Sequence, residues 1–181
     1  KSLSIDIPQN SYPIYIENGL LSNVGNLIKD IYFGDRVFVV TDEDVNKYHG
    51  ERLKESFEEN NFQVYKVVIE SGENSKSIQS LLYLYDKFLS FGITRDDLIV
   101  AFGGGVVGDL TGFVAATLLR GIPYVQVPTS LLAQIDSSIG GKVGIDLPQG
   151  KNLAGSFYHP KGVFIDPQLL KTLNNRFLRD G

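Results

Sequence analysis

Five apolar residues at 98–102 (LIVAF) run directly into Gly103, Gly104 and Gly105, and an apolar helical stretch at 106–119 follows without a break. A short unbroken apolar run is the pattern of a strand buried on both faces. Glycines at its end admit positive φ and close approach of the backbone to a neighbour. Such a strand needs helices on both sides of its sheet, and the rest of the chain supplies them. Residues 36–41 (RVFVVT) form a second buried strand, 45–60 a charged helix and 62–69 another strand. Across 77–91, Ile78, Leu81, Leu82, Tyr85, Phe88 and Leu89 make an apolar stripe at helical spacing, and Gly92 ends it. The helix at 106–119 closes at Gly121 and Pro123, a strand at 124–127 stops at Pro128, and a short helix at 130–135 and a strand at 163–166 follow. This order predicts an α/β fold, a Rossmann-like parallel sheet with helices on both faces. Residues 2–7 and 12–17 alternate around a turn, which predicts a β-hairpin ahead of it, and 20–28 has helical spacing. The hydrophilic, Gly-rich stretch at 137–156 is predicted as a long loop of the functional kind.

Composition narrows the function. Hydrophobic residues make up 43% and charged residues 21% of 181, values of a globular domain. No apolar run is long enough for a membrane span and no signal segment opens the chain. Met is 0, which reads as a trimmed chain, and Cys is 0, which suits a reducing, cytoplasmic setting. The two histidines, His49 and His159, stand far apart, too few for a zinc site built from this chain alone. A net charge of -4 argues against nucleic acid as a partner. The charge is uneven: residues 1–99 carry ten Lys/Arg against sixteen Asp/Glu, whereas 140–181 carry Lys142, Lys151, Lys161, Lys171, Arg176 and Arg179 against three Asp. Positive charge gathered beside glycine loops points to a small anion.

Gly103, Gly105 and Gly108 satisfy G-x-G-x-x-G at a strand-to-helix turn, where free N–H groups and the helix dipole attract phosphate. No acid follows at the spacing of the dinucleotide fingerprint. Asp42, just past the strand at 36–41, serves equally as a ribose ligand or a helix N-cap. Residues 71–76 (SGENSK) precede a helix, with Ser75 as its cap, and Thr129 and Ser130 are read first as helix caps. Asp136, then Gly141-Lys142, then Gly150-Lys151-Asn152 bring two lysines behind glycines, where an ammonium meets an anion with little hindrance. His159 is read as a loop residue.

Together these segments resemble the 3-dehydroquinate synthase family: FGGGVVGDLTGFVAATLLRG, VPTSLLAQIDSSIGGKVGI and GKNLAGSFYHP in order, with SGENSKS similar to its Gly-Glu-x-x-Lys segment. The resemblance implies that residues 1–181 are the N-terminal NAD-binding half, with a C-terminal helical domain that supplies the metal ligands absent from this chain. It implies a homodimeric, NAD-dependent lyase of the shikimate pathway that converts a seven-carbon sugar acid phosphate to 3-dehydroquinate with NAD and divalent zinc or cobalt, this half being inactive alone. Cofactor contacts would come from Asp42, Asp44, Ser71, Gly72, Glu73, Asn74, Ser75, Lys76, Gly104, Gly105, Val106, Val107, Gly108, Asp109, Thr129 and Ser130. Lys142 and Lys151 would also contribute, and Leu169, Leu170, Lys171 and Thr172 would close over the cofactor. Arg120, Asp136, Lys142, Lys151 and Asn152 would face the substrate, with Arg120 reaching into the neighbouring subunit. Alternatives are another sugar-phosphate cyclase such as a 2-deoxy-scyllo-inosose synthase, the iron-alcohol and glycerol dehydrogenase group, and a non-catalytic nucleotide-binding module.

Overall fold

The computed structural model describes residues 1–5 and 10–173; the expected strand positions 6–7 and the basic-tail residues Arg176 and Arg179 lie outside them. Strands β1 (Ser2–Ile5) and β2 (Tyr12–Ile16) pair antiparallel as the expected hairpin. A 3-10 turn, Leu20–Asn23, leads into α1 (Val24–Ile28). Then β3 (Arg36–Asp42), α2 (Glu43–Glu58), β4 (Gln63–Ile69), α3 (Ile78–Ser90), β5 (Leu98–Gly103), α4 (Gly105–Thr117) and β6 (Tyr124–Pro128) alternate as expected. A two-stranded unit, β7 (Lys142–Leu147) and β8 (Gly150–Phe157), precedes β9 (Val163–Ile165).

The large sheet has the order β1-β2-β9-β6-β5-β3-β4, parallel throughout except for β1. Its two faces are read directly from alternate residues of β3. Phe38 and Val40 pack with Leu81, Leu84 and Phe88 of α3 and Leu110 and Val114 of α4. Val37 and Val39 pack with Val24 and Ile28 of α1 and Leu53 and Phe57 of α2. The chain therefore reverses direction between β3 and β5, and the segments leaving those strands flank the crevice where open α/β sheets bind ligands.

Two expectations change. The buried face of α3 is Leu81, Leu84 and Phe88, while Ile78, Leu82 and Leu89 are 45%, 58% and 51% exposed. The helix carries apolar residues on more than one face, and contact with β3 and α4 chose among them. The stretch at 137–156 is mostly not a loop: β7 and β8 pair antiparallel, with Val143 and Ile145 buried in the α3/α4 core. Their period-2 spacing is short and interrupted by glycine, too weak a signal to stand out in a polar segment.

The glycines of α4 also act differently from expectation. None of Gly103, Gly104, Gly105 or Gly108 has positive φ. Close approach is what requires them: a Cβ on Gly108 would lie 2.6 Å from Gln126 Oε1, and one on Gly112 would lie 2.3 Å from Val143 Cγ1. Because Gly112 seats β7 against α4, Gly112→Ala should cost about 2 kcal/mol through overpacking, measured as a drop of roughly 4–8 °C in the thermal unfolding midpoint.

Candidate functional site

The site grows from the carboxyl ends of β3, β4, β5 and β6. Asp42, the last residue of β3, caps α2: its carboxylate Oδ1 accepts from Val45 N at 2.9 Å. Ser71 Oγ donates to the same oxygen at 3.3 Å and accepts from Asp44 N at 3.2 Å, so the segment after β4 is tied to the one after β3. Burial raises the Asp42 carboxyl above its ordinary value. Gly72 has φ 107, a conformation that favours glycine, and it turns the chain into the 3-10 segment Glu73–Ser75. Ser75 is not the cap of α3: its hydroxyl donates to Glu70 O at 2.7 Å, and Ser77 caps the helix by accepting from Ser80 N. Asn74 borders a separate polar groove beside β4, with Glu70 and Ser80.

Lys76 is the node of the site. It is 6% exposed, and its ammonium bonds Asp109 Oδ2 at 2.5 Å and the side-chain oxygen of Asn152. Its carbonyl accepts from Asp146 N at 2.9 Å. Asp109 follows the glycine turn on α4, so one side chain joins the post-β4 segment, the glycine helix and the hairpin. Burial raises the Asp109 carboxyl, and the Lys76 ammonium opposes that shift.

The hairpin is shaped to meet them. Its register shifts between Ile145 and Leu147, and Asn152, opposite the irregularity, has φ 55. Asp146 Oδ1 accepts from Asn152 N at 2.7 Å and holds this bulge. Bulges re-aim side chains; here Asn152 meets Lys76, and Lys151 meets Glu73 at 3.0 Å on the exposed surface. Glu73 raises the Lys151 ammonium above its ordinary value. Sequence reasoning missed Asp146; its signal was a lone acid midway between two Gly-Lys pairs.

Two cavities flank the glycine turn. One of about 570 Å³ is lined by Asp109, Asp136, Lys142, Val143, Asn152 and Leu153, among others. Asp136 lies in a π-helical turn, Ala133–Ser137, where a short α-helix was expected; such turns are frequent at functional sites. The other, of about 290 Å³, is lined by Asp44, Val45, Tyr48, His49, Thr129, Leu169, Thr172 and Leu173. The glycine turn is closely approached from the segment after β6: a Cβ on Gly104 would sit 3.3 Å from Ser130 Oγ, and one on Gly105 would sit 3.2 Å from Ser137 Oγ. Ser130 also caps its turn, accepting from Ala133 N. Val106 and Val107 open α4 behind the turn, with Val107 buried.

Some expected residues stand apart. Arg120 is exposed beyond the far end of α4, roughly 20 Å along the helix axis from Gly105 at about 1.5 Å per residue. It follows Leu119 in a left-handed conformation, with φ values of 50 and 68, a strained pair of the kind that marks functional or tightly held turns. Of the 3-10 segment Pro167–Thr172, Leu169 and Thr172 line the smaller cavity, while Leu170 and Lys171 do not. His159 is in a loop, its ring tilted at 32° to that of Tyr12 with centroids 6.1 Å apart. Among the described residues no three His, Cys, Asp or Glu come together to hold a metal ion, and no helix is long and apolar enough to cross a membrane.

Polar groups from four strand ends, meeting at the reversal point of a parallel sheet, define an α/β domain of the doubly wound class with a polar crevice at that point. The family model described as 3-dehydroquinate synthase N-terminal matches residues 66–180, and the chain belongs to the 3-dehydroquinate synthase family. It is 56% identical over 181 residues to the 3-dehydroquinate synthase of Clostridium acetobutylicum and 52% identical to that of Clostridium botulinum. Those alignments cover 100% of this chain and 51% and 52% of the relatives, so the chain spans about half the length of the curated relatives it matches. A solved 2-deoxy-scyllo-inosose synthase complexed with carbaglucose-6-phosphate, NAD+ and Co2+ superposes with a TM-score of 0.91 at 28% identity, over 100% of this chain and 49% of that one. The 2-epi-5-epi-valiolone synthase of Streptomyces hygroscopicus, with NAD+ and Zn2+ bound, gives 0.86 at 30% identity, over 97% of this chain and 48% of that one. A glycerol dehydrogenase from Schizosaccharomyces pombe shares the fold alone, with a TM-score of 0.71 at 22% identity over 91% of this chain and 39% of that one.

Removing Lys76 leaves the partly buried Asp109 carboxylate without its cation. Lys76→Met should cost about 3 kcal/mol at pH 7. The loss should shrink as pH falls toward the unfolded carboxyl value of about 3.9, because the folded Asp109, already raised, takes up a proton first. Adding Asp109→Asn should recover most of the stability at pH 7; urea unfolding at both pH values measures each step.

Proposed function

We propose that this chain is the cofactor- and anion-binding half of a 3-dehydroquinate synthase, an NAD-dependent lyase that acts on a seven-carbon sugar acid phosphate in the cytoplasm. The observation that carries this reading is the cavity in which Asp136, Lys142 and Asn152 meet Asp109 beside the glycine turn. Identity of 56% to a synthase, against 28% to the deoxyinosose cyclase, favours this substrate over another sugar phosphate.

The residues present fit NAD. Gly104 and Gly105 leave open the space that a Cβ would fill, so a pyrophosphate approaches the free N–H groups at the start of α4. Asp42 at the end of β3 offers its carboxylate to a ribose, and Thr129, Leu169 and Thr172 line the slot for the adenine side. Bound there, NAD would supply reversible hydride transfer at the substrate's C5 hydroxyl carbon. Lys76 and Asp109, locked to each other, hold the boundary between cofactor and substrate in one geometry. Lys142 and Lys151 take the substrate phosphate and carboxylate. Lys151 exchanges Glu73 for the anion, and that exposed pair is screened by water. Asn152, held by Asp146, orients the substrate by its amide. Arg120, remote from its own cavity, serves a neighbouring subunit in a homodimer. The zinc or cobalt of the family does not fit the residues described here, and the steps above do not use it.

Calorimetric titration of NAD into the folded chain should give a dissociation constant below about 1 mM, and Gly104→Val should abolish it by filling the phosphate space; a flat titration of the wild type up to millimolar NAD would overturn the reading. In the assembled enzyme, Lys142→Ala and Lys151→Ala should each shift stability by under about 0.5 kcal/mol while turnover falls roughly a hundredfold or more. A variant that melts far lower but keeps its turnover would make that lysine structural.

A further inference from the structure

The smaller cavity contains a buried titratable residue that the proposed function leaves without a role. His49, on α2, is 9% exposed, and its Nε2 lies 2.8 Å from Thr172 Oγ1. Thr172 spends its only hydroxyl proton on Leu169 O at 3.0 Å. Its oxygen can therefore only accept from His49, which sets the imidazole as the Nε2–H form. The hydroxyl is thus held on both sides, and the 3-10 segment Pro167–Thr172 is anchored to α2 across the mouth of the cavity. From below, Asp166 fastens the same segment: its carboxylate accepts from Gly19 N, Leu21 N and Gln168 N and pairs with Arg52 at 3.5 Å.

We infer that His49 is a positioning residue for the cofactor, holding Leu169 and Thr172 as the preformed wall of the adenine slot through its hydrogen bond to Thr172. This rests on the NAD reading above. The slot suits a flat heterocycle: Val45, Leu169 and Leu173 give apolar contact, and the Tyr48 ring stands exposed at its edge. A preformed wall spares the ligand the entropy of ordering it. The charged groups acting on His49 are Arg52 on its own helix and Asp166 at the head of the 3-10 segment, and Asp44 lines the same slot. Burial, then Arg52, lowers its imidazole value, and Asp166 opposes them. The neutral form is therefore favoured in the folded protein. Acidification below the unfolded value of about 6.5 adds a proton at Nδ1, and the Nε2–H donor to Thr172 is kept in both ring forms.

The test compares the wild-type chain with His49→Phe and His49→Gln, the second keeping an N–H donor. NAD affinity is measured by calorimetry from pH 8 to pH 5.5, and amide exchange is followed at 169–173. At pH 8, His49→Phe should bind NAD about tenfold more weakly and exchange faster at 169–173, while His49→Gln should stay within about threefold of wild type. Wild-type and His49→Gln affinities should each stay within about threefold over that range, because the N–H donor to Thr172 is kept throughout. Equal affinity and equal exchange in wild type and His49→Phe would overturn the inference. So would a folded His49→Gln as impaired as His49→Phe, since the hydrogen bond would then not be the cause. A wild-type chain that binds no NAD defeats the cofactor reading instead, and exchange at 169–173 still decides whether His49 holds the segment.

Discussion

The buried ammonium of Lys76 is the interaction on which the crevice depends. A cation taken out of water is costly unless it is paired and hydrogen-bonded, and this one is matched by Asp109 and Asn152 from two other segments. Each partner is itself constrained. Asp109 sits one helical turn into α4, behind glycines that bring the helix close to the sheet, and Asn152 sits on a bulge stapled by Asp146. The three segments are distant in sequence, so their meeting requires the finished sheet. Once met, they fix the hairpin against the glycine turn and set the wall of the larger cavity.

That arrangement explains why the two cavities lie side by side. The post-β3 and post-β5 segments diverge because α2 covers one face of the sheet and α3 and α4 cover the other. The gap they leave is lined on one side by Asp109, Asp136 and Lys142 and on the other by Asp44, His49 and Thr129. The smaller cavity is closed by the segment after β9, which reaches it because β9 lies between β2 and β6 in the sheet. Asp166, fully buried at the end of that strand, turns the chain there through three backbone N–H groups.

Much of this was legible in the residues. The buried strands announced themselves as unbroken apolar runs, the hairpin as two alternating runs around a turn, and the glycine turn as a strand-to-helix junction. The double Gly-Lys pattern marked the segment that lines the larger cavity, though it read as a loop. Lys76 stood within a family-like motif, but nothing local distinguished a buried cation from a solvated one. Ser75 reads as the cap of α3, but the 3-10 turn at 73–75 carries the chain two residues further before Ser77 caps the helix. His49 looked like an ordinary residue of a charged helix.

The sequence by itself determined the alternation of strand and helix, the glycine turn and the supply of cations near it, because these rest on local periodicity and on residue chemistry that need no distant partner. Tertiary structure alone decided which face of α3 is buried, that residues 142–157 form a hairpin, and that Lys76, Asp109 and Asn152 converge. Those outcomes depend on which surfaces compete for the same apolar face and which charges share the same buried space. That competition is settled by packing between segments dozens of residues apart, and no local pattern encodes it.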